Sequence, residues 1–495
     1  MSTCVSASIL YNLVQCPHRI TMDLFGDQSL KDAVNPFIEL LWERGNTFEQ
    51  EVIGKLKIPF TDLKAFSGKE RERLTIEAMN RGDELIYGGR IWVDDLIGEP
   101  DIIRKCDIGY IAGDIKSGAG EEGANEDTDG KPKKHYAVQL SLYTDILERI
   151  GFSGGRKPFV WDVHGQEVIY DLNAEQGVRK KGSLWDEYLV ALETAQAIMA
   201  QRETTLPAYG SICKLCHWYT ACKKALEDLD DLTLIPELGR SKRDIMMSHL
   251  RGRGDLAKAD LNSFIQGKKT IFPGIGVETL HKFKLRSILQ KSGSRPYKKA
   301  AIDLPHFDRE LFFDVETDPM NDICYLHGFV ERLHGDKNAE RYIPFVAEEP
   351  TADWERQAFD EAWAYIKGSM PCMIYYYSAY ERTIWRQLQK KYPHVITEEE
   401  LEQMFEPGRT IDLYHHVIRS KTEWPTYDFS IKTLASYLGF SWRDSNPSGA
   451  ASIEWYHRWI DDRDPSMRQR ILDYNEDDCR AMRVILDGIR QMAQQ

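Results

Sequence analysis

Two short strings set acids, or an acid and a lysine, two residues apart within apolar surroundings: Phe313-Asp314-Val315-Glu316-Thr317 and Gly113-Asp114-Ile115-Lys116. On a strand, residues two apart face the same way, so each pair projects together. Burying Asp314 and Glu316 beside Leu311, Phe312 and Phe313 is expensive unless cations neutralise them. Hard carboxylate oxygens suit Mg²⁺ or Mn²⁺. A lysine at such a site can offset charge that develops on a phosphate under attack. The chemistry predicted is metal-assisted hydrolysis of a phosphodiester.

Further residues complete each set. Asp101, in Gly98-Glu99-Pro100-Asp101, would join Asp114 in holding a metal, with Lys116 beside the phosphate. Gln139 and Tyr143 lie four apart on the helical segment that follows, hence on one face. Glu49 is a candidate further metal ligand. In the second set, Glu381 stands where a strand, Ile374 to Ser378, runs into a helix. Tyr474 and Asp478 lie four apart on a C-terminal helix. Four acids from three separated segments, Asp314, Glu316, Glu381 and Asp478, can hold two divalent ions for in-line displacement. Asp477 competes with Asp478 for the last place, and Asp412 reads as structural.

Cysteines mark a third constellation. Cys213, Cys216 and Cys222 follow a C-x2-C-x5-C spacing that brings three thiolates within reach of one centre, and Cys16, before Pro17, is the best candidate for a fourth. Soft thiolates select zinc or an iron–sulfur cluster. His217 could serve a zinc site. Cys4, Cys106, Cys324, Cys372 and Cys479 show no such spacing and read as core or surface thiols.

These residues need elements to hold them. A chain of 495 residues suggests about three domains. The first, residues 1–226, mixes helices (35–56, 136–150, 183–201) with short strands (90–93, 111–116) and a polar loop over 118–134. The second, 227–298, is a small helical connector punctuated by glycines. Within it, Leu234 to Gly239 and Ile271 to Gly276 resemble helix-hairpin-helix elements. Lys268, Lys269, Lys282, Lys284, Arg286 and Lys291 there could attract a nucleic-acid backbone. The third, 299–495, alternates strands and helices as an α/β domain does. The net charge of −14 argues against coating nucleic acid with the whole surface, though not against a local track. No apolar run is long enough to span a bilayer, and Met1 to Leu10 lacks the features of a signal peptide. The expectation is a cytoplasmic protein without a membrane partner.

Asp101, Asp114 and Lys116, with the Gln139-x-x-x-Tyr143 pattern, resemble the PD-(D/E)xK motif of RecB-type nucleases, with Asp in the middle slot. Many relatives carry a histidine on a helix where this chain has Glu49. The split layout of Cys16 and the Cys213–Cys222 triplet is similar to the iron–sulfur members, in which a 4Fe-4S cluster staples both ends of the nuclease domain. Asp314, Glu316 and the Tyr474-x-x-x-Asp478 ending resemble the DEDD 3′→5′ exonucleases of the DnaQ-like, ribonuclease-H-fold group, tyrosine subtype. That resemblance gives the acids to metal and Tyr474 to the attacking water. Those enzymes usually have Asp where this chain offers Glu381. Over nearly its whole length the chain is similar to a bacterial family of RecB-like nucleases that fuse the two domain types. The resemblance implies an α/β protein: a PD-(D/E)xK restriction-endonuclease-like domain, a helix-hairpin-helix-like connector and a ribonuclease-H-like domain. It also implies a DNA exonuclease in repair, recombination or mobile-element defence, acting on single-stranded DNA or free ends, with a helicase as partner. Two alternatives stay open: a nucleic-acid-binding adaptor with one or both sites inactive, and a ribonuclease.

Overall fold

Asp114 and Lys116 lie at the end of a strand in the middle of a sheet. Strand β1 (Ile102–Cys106) pairs antiparallel with β2 (Gly109–Ile115), and Phe159–Trp161 pairs parallel along the other edge of β2. The sheet has six strands, in the order Glu167–Ile169, Phe159–Trp161, β2, β1, Leu85–Tyr87 and Thr61–Asp62. Helix α1 (Pro36–Gly54) starts at a proline behind an Asn35 cap, and packs Phe48, Val52 and Ile53 against Ile102, Ile115 and Phe159. Helix α2 (Lys134–Arg149) covers the opposite face with Ala7–Gln15 and Leu184–Met199. Along β2 the even residues Tyr110 and Ala112 belong to that second core, so Asp114 also faces α2.

The computed structural model describes residues 4–123, 130–176, 182–445 and 447–493. The polar loop expected over 118–134 lies partly outside the described residues. By contacts the chain divides into two units, Met1–Pro207 with Ser211–Cys222, and Ala208–Gly210 with Lys223–Gln495. No described helix is long and apolar enough to cross a membrane.

The second unit is built on a five-stranded sheet. Strands β3 (Arg309–Asp318), β4 (Ile323–Leu333) and β5 (Glu340–Val346) form an antiparallel meander. After helix α3 (Ala352–Ser369), strand β6 (Met373–Tyr376) pairs parallel with β3, and β7 (Thr410–Asp412) pairs parallel with β6. The order is β5-β4-β3-β6-β7, with β3 at the centre. Helix α4 (Tyr380–Lys391) follows β6. Odd residues of β3, Leu311, Phe313 and Val315, pack with Phe359 and Trp363 of α3 and Trp385 of α4. The even residue Phe312 faces the other layer, where helices α5 (Ile431–Tyr437) and α7 (Pro465–Gln491) contribute Leu434, Met482 and Ile485. Helix α6 (Gly449–Asp462) lies beside α7, with Trp455 edge-on to Tyr474.

The connector belongs by contacts to this second unit and has its own small core around Leu256, Phe272 and Phe283. Helices Gly239–Met246 and Val277–Ser292 follow its two glycine-proline turns. Four of the six basic residues considered for a phosphate track have protein partners. Lys282 donates to Glu237 at 2.9 Å, Lys284 to the Ala259 carbonyl at 2.7 Å, and Lys291 pairs with Asp230 at 3.2 Å. Arg286 is buried between Glu237 and Glu423. Lys268 and Lys269 are exposed.

Candidate active site

Asp314 and Glu316 are even residues of the central strand, so both point toward α7, and Asp478 comes back at them from that helix. Ligand oxygens of Asp314, Glu316 and Asp478 all lie within 4.8 Å of one another. Among the described residues this is the one such set of three acid, histidine or cysteine side chains. Its electrostatics follow from placement. Burial, and then the charges of Glu316, Asp478 and Glu381, push the Asp314 carboxyl well above the usual carboxylate range, with Lys432 opposing. Glu316 is pushed up to about 8, first by burial and then by Asp478. Three like charges this close, shielded from water, favour a proton or a cation.

Glu381 is the second residue of α4. The turn before it holds Ser378 at φ 99°, a conformation that costs a non-glycine residue about 1–3 kcal/mol. Glu381 lies outside the 4.8 Å set, yet its charge reaches Asp314. Its Oε2 is buried with no hydrogen-bond partner among the described residues. Burial and the charge of Asp412 raise its carboxyl well above the usual range. Asp412 caps the next helical turn, accepting from the His415 amide at 2.9 Å and facing its ring at 2.9 Å. Asp477 is directed away from the cluster: it accepts from the Arg443 amide at 2.8 Å and its Nε at 3.0 Å.

Three side chains that the sequence does not mark complete the site. Lys432, on α5, donates to the Tyr474 hydroxyl at 2.9 Å and stands 3.8 Å from Asp478 Oδ2. Trp442 donates its indole N–H to Asp478 Oδ1 at 2.7 Å. Asn475 donates to Asp314 Oδ2 at 2.7 Å. Lys432 and Trp442 come from segments with no acidic or periodic signature, and only the Y-x-x-x-D pattern points near Asn475.

Residues 311–489 match the sequence profile of the RNase_H superfamily. The C-terminal region carries an RNase H superfamily domain. No curated protein matches the chain. Such a domain fits a nuclease-type hydrolase, implies a nucleic-acid substrate, and works with divalent metals such as Mg²⁺ or Mn²⁺. In this RNase H domain the triad of half-buried Asp314 with buried Glu316 and Asp478 has the oxygen donors and the excess of negative charge that such an ion requires.

Outside the RNase H domain, the first unit gathers the other acids more loosely. Lys116 Nζ lies 2.8 Å from Asp114 Oδ2. Asp101 accepts from the Ile115 amide at 2.9 Å, and its own amide approaches Asp114 Oδ1 at 3.4 Å. Burial and then the Asp114 charge push Asp101 up to about 7. Burial alone would lower Lys116, but the carboxylates of Asp114 and Asp101 outweigh it and raise the ammonium. Tyr143 is buried close enough to feel both acids, and Gln139 has a buried Oε1 with no hydrogen-bond partner among the described residues. Glu49 accepts from Lys64 at 2.5 Å and from the Tyr87 hydroxyl at 2.9 Å, and its charge still reaches Asp101. Asp101, Asp114 and Glu49 do not close to the spacing of the RNase H triad.

The cysteine segment 211–222 clusters with the first unit. Cys16 caps the helix Pro17–Phe25, Cys213 lies in the turn Ser211–Leu215, and Cys222 is on the helix Tyr219–Asp228. Burial raises the Cys216 thiol, and Cys16 is near enough to add to that rise. His217 and Trp218 both bond Asp23, at 2.7 and 2.8 Å. No three of the sulfurs share the 4.8 Å spacing. Tetrahedral zinc with Zn–S of about 2.3 Å would need sulfurs about 3.8 Å apart. A cluster that offers each thiolate its own iron relaxes that demand.

Proposed function

We propose that the RNase H domain is a divalent-metal-dependent 3′→5′ exonuclease acting on DNA. The observation that carries this reading is the convergence of Asp314, Glu316 and Asp478, three crowded acids whose charge Lys432 offsets only in part. These three would hold a divalent ion, and Glu381 would complete the four-acid set for a second. The ions would supply Lewis-acid charge and a nucleophilic water at neutral pH. Tyr474, held by Lys432, would orient that water, and Trp442 would fix the Asp478 carboxylate. The test is Mn²⁺-dependent shortening of end-labelled single-stranded DNA, with RNA of the same sequence in parallel. Loss with Asp314→Ala and preference for DNA are expected. Equal or faster RNA cleavage turns the reading to a ribonuclease, and no cleavage in any divalent metal overturns it.

For the first unit we propose a PD-(D/E)xK-type nuclease domain over residues 1–226, with Asp101 and Asp114 as metal ligands and Lys116 beside the phosphate. Asp114 and Lys116 facing α2 with Gln139 and Tyr143 supports this. Cys16, Cys213, Cys216 and Cys222 would hold a 4Fe-4S cluster, for which their spacing is less restrictive than for zinc. A protein so built would trim ends exposed by a helicase during repair, recombination or defence against mobile elements. One observation favours a second reading. Glu49 is tied to Lys64 and Tyr87 and does not join Asp101 and Asp114 at the spacing of the RNase H triad, which suits a nucleic-acid-binding module there rather than a second nuclease. Cleavage that survives Asp314→Ala and is lost with Asp114→Ala decides for the nuclease.

A further inference from the structure

The side-chain amide of Asn475 is held at both ends. Its Nδ2 donates to Asp314 Oδ2 at 2.7 Å and its Oδ1 accepts from the Tyr342 hydroxyl at 2.8 Å. An amide nitrogen carries two hydrogens and the amide oxygen none. With Tyr342 donating to the oxygen, the NH₂ end must face the acids. Asn475 is fully buried, so nothing from solvent competes for these bonds.

The backbone makes room for this arrangement. Gly328 on β4 stands opposite Asp314 in register. A Cβ at Gly328 would overlap Asn475 Oδ1 and come within 3.1 Å of the Tyr342 ring. Any larger residue there would push the amide off the acids. Gly328, Tyr342 and Asn475, from three different elements, therefore meet at one point behind the carboxylates.

Two adjacent buried carboxylates repel each other and turn apart unless something holds them. A lysine or arginine would hold them, but its charge would compete with a metal for the same oxygens. A neutral NH₂ donor can hold one carboxylate oxygen and leave the net charge for a cation. We infer that Asn475 is a positioning residue that holds Asp314 Oδ2 so that this carboxylate keeps its other oxygen directed at a divalent ion shared with Glu316 and Asp478, with Tyr342 and Gly328 fixing the amide's orientation. This rests on the metal-binding reading of the triad.

The test measures Mn²⁺ affinity of the full-length protein by calorimetry and by the Mn²⁺ paramagnetic resonance signal, with melting in EDTA as a check on folding. Asn475→Ala lowers the affinity about 10–100-fold, the usual effect of losing a partner behind metal ligands. Tyr342→Phe, which deletes one hydroxyl and keeps the ring, lowers it less but in the same direction. It decides the matter if Asn475→Ala does not fold. Affinities within about twofold of wild type in the folded variants overturn the inference. Asp314→Ala separates the two levels: if it abolishes Mn²⁺ binding that Asn475→Ala leaves intact, the positioning role is wrong and the metal site stands. A wild-type protein that binds no Mn²⁺ overturns both.

Discussion

Asp477 and Asp478 are neighbours in the chain and belong to separate networks. Asp477 is bound by the backbone and side chain of Arg443, while Asp478 accepts from Trp442 and faces Asp314 and Glu316. The α7 helix turns about 100° per residue, so adjacent acids cannot serve the same site. Asp478→Asn is expected to abolish Mn²⁺ binding and Asp314-dependent cleavage. Asp477→Asn is expected to lower stability by about 1–3 kcal/mol, the scale of hydrogen bonds to a charged group, with cleavage retained. Urea melts and the end-label assay on both variants check this, and the reverse pattern exchanges the two roles.

Mn²⁺ should stabilise the protein through its acids. At a concentration a hundred times the Kd, a bound ion adds about 2.7 kcal/mol. Asp314→Asn removes one of three crowded like charges, so in EDTA its melting temperature matches or exceeds that of wild type. It should gain little from Mn²⁺. Thermal melts with and without metal test both halves, and an equal gain in the variant removes Asp314 from the site.

Activities of the two units should separate. Asp114→Ala and Lys116→Met are expected to lower first-unit cleavage about 100-fold or more while sparing cleavage that depends on Asp314. The comparison is made on one end-labelled substrate in the background of each Asp314 variant. If Asp114→Ala changes only binding, the first unit is a binding module.

The cysteines should hold iron and sulfide. Protein purified without oxygen is expected to be brown, and Cys213→Ser to be colourless and less stable in the first unit, where the clip closes a long loop. Metal analysis decides, and zinc without iron overturns the cluster.

Glu237 makes stability depend on pH. Its burial works against the charged form, but hydrogen bonds from Lys282, Arg286 and Arg419 outweigh that and hold the carboxyl down at about 2. A depressed carboxyl contributes stability that is present above its ordinary range, near 4.5, and is lost as pH falls toward about 2. Glu237→Gln is therefore less stable than wild type at pH 7, by about 2–3 kcal/mol, and the gap narrows below pH 4.5. Urea melts at pH 7 and at lower pH test the sign. A constant gap means the charge is not what the three cations bind.

How far this could be read from sequence depended on whether a residue's partners are local. Alternation on a strand sets Asp314 and Glu316 on one face, and helical spacing does the same for Tyr474 and Asp478 and for Gln139 and Tyr143. The structure has each pair so arranged. The choice between Asp477 and Asp478 needs the helix phase relative to Arg443, which lies 34 residues away. Lys432 looks like any surface lysine until Tyr474 and Asp478 are placed beside it. In the connector, sequence shows the charge of Lys282, Arg286 and Lys291, but not that Glu237, Glu423 and Asp230 pair with them.

The alternation along β3 also governs how the protein can fail. Opposite faces of that strand carry Asp314 and Glu316 on one side, Phe313 and Val315 on the other. Slipping its pairing with β4 by a single residue would turn both acids into the aromatic layer of Phe359, Trp363 and Trp385 and offer greasy side chains to α7. Such a mispaired chain would have to bury two charges in a layer with no partner for them, so it is driven back to the correct alignment or unfolds. Misfolding and chemical incompetence thus share one threshold. Molecules that reach the native sheet arrive with the acids already aimed, and damage to this strand should reduce the number of working molecules rather than the speed of each.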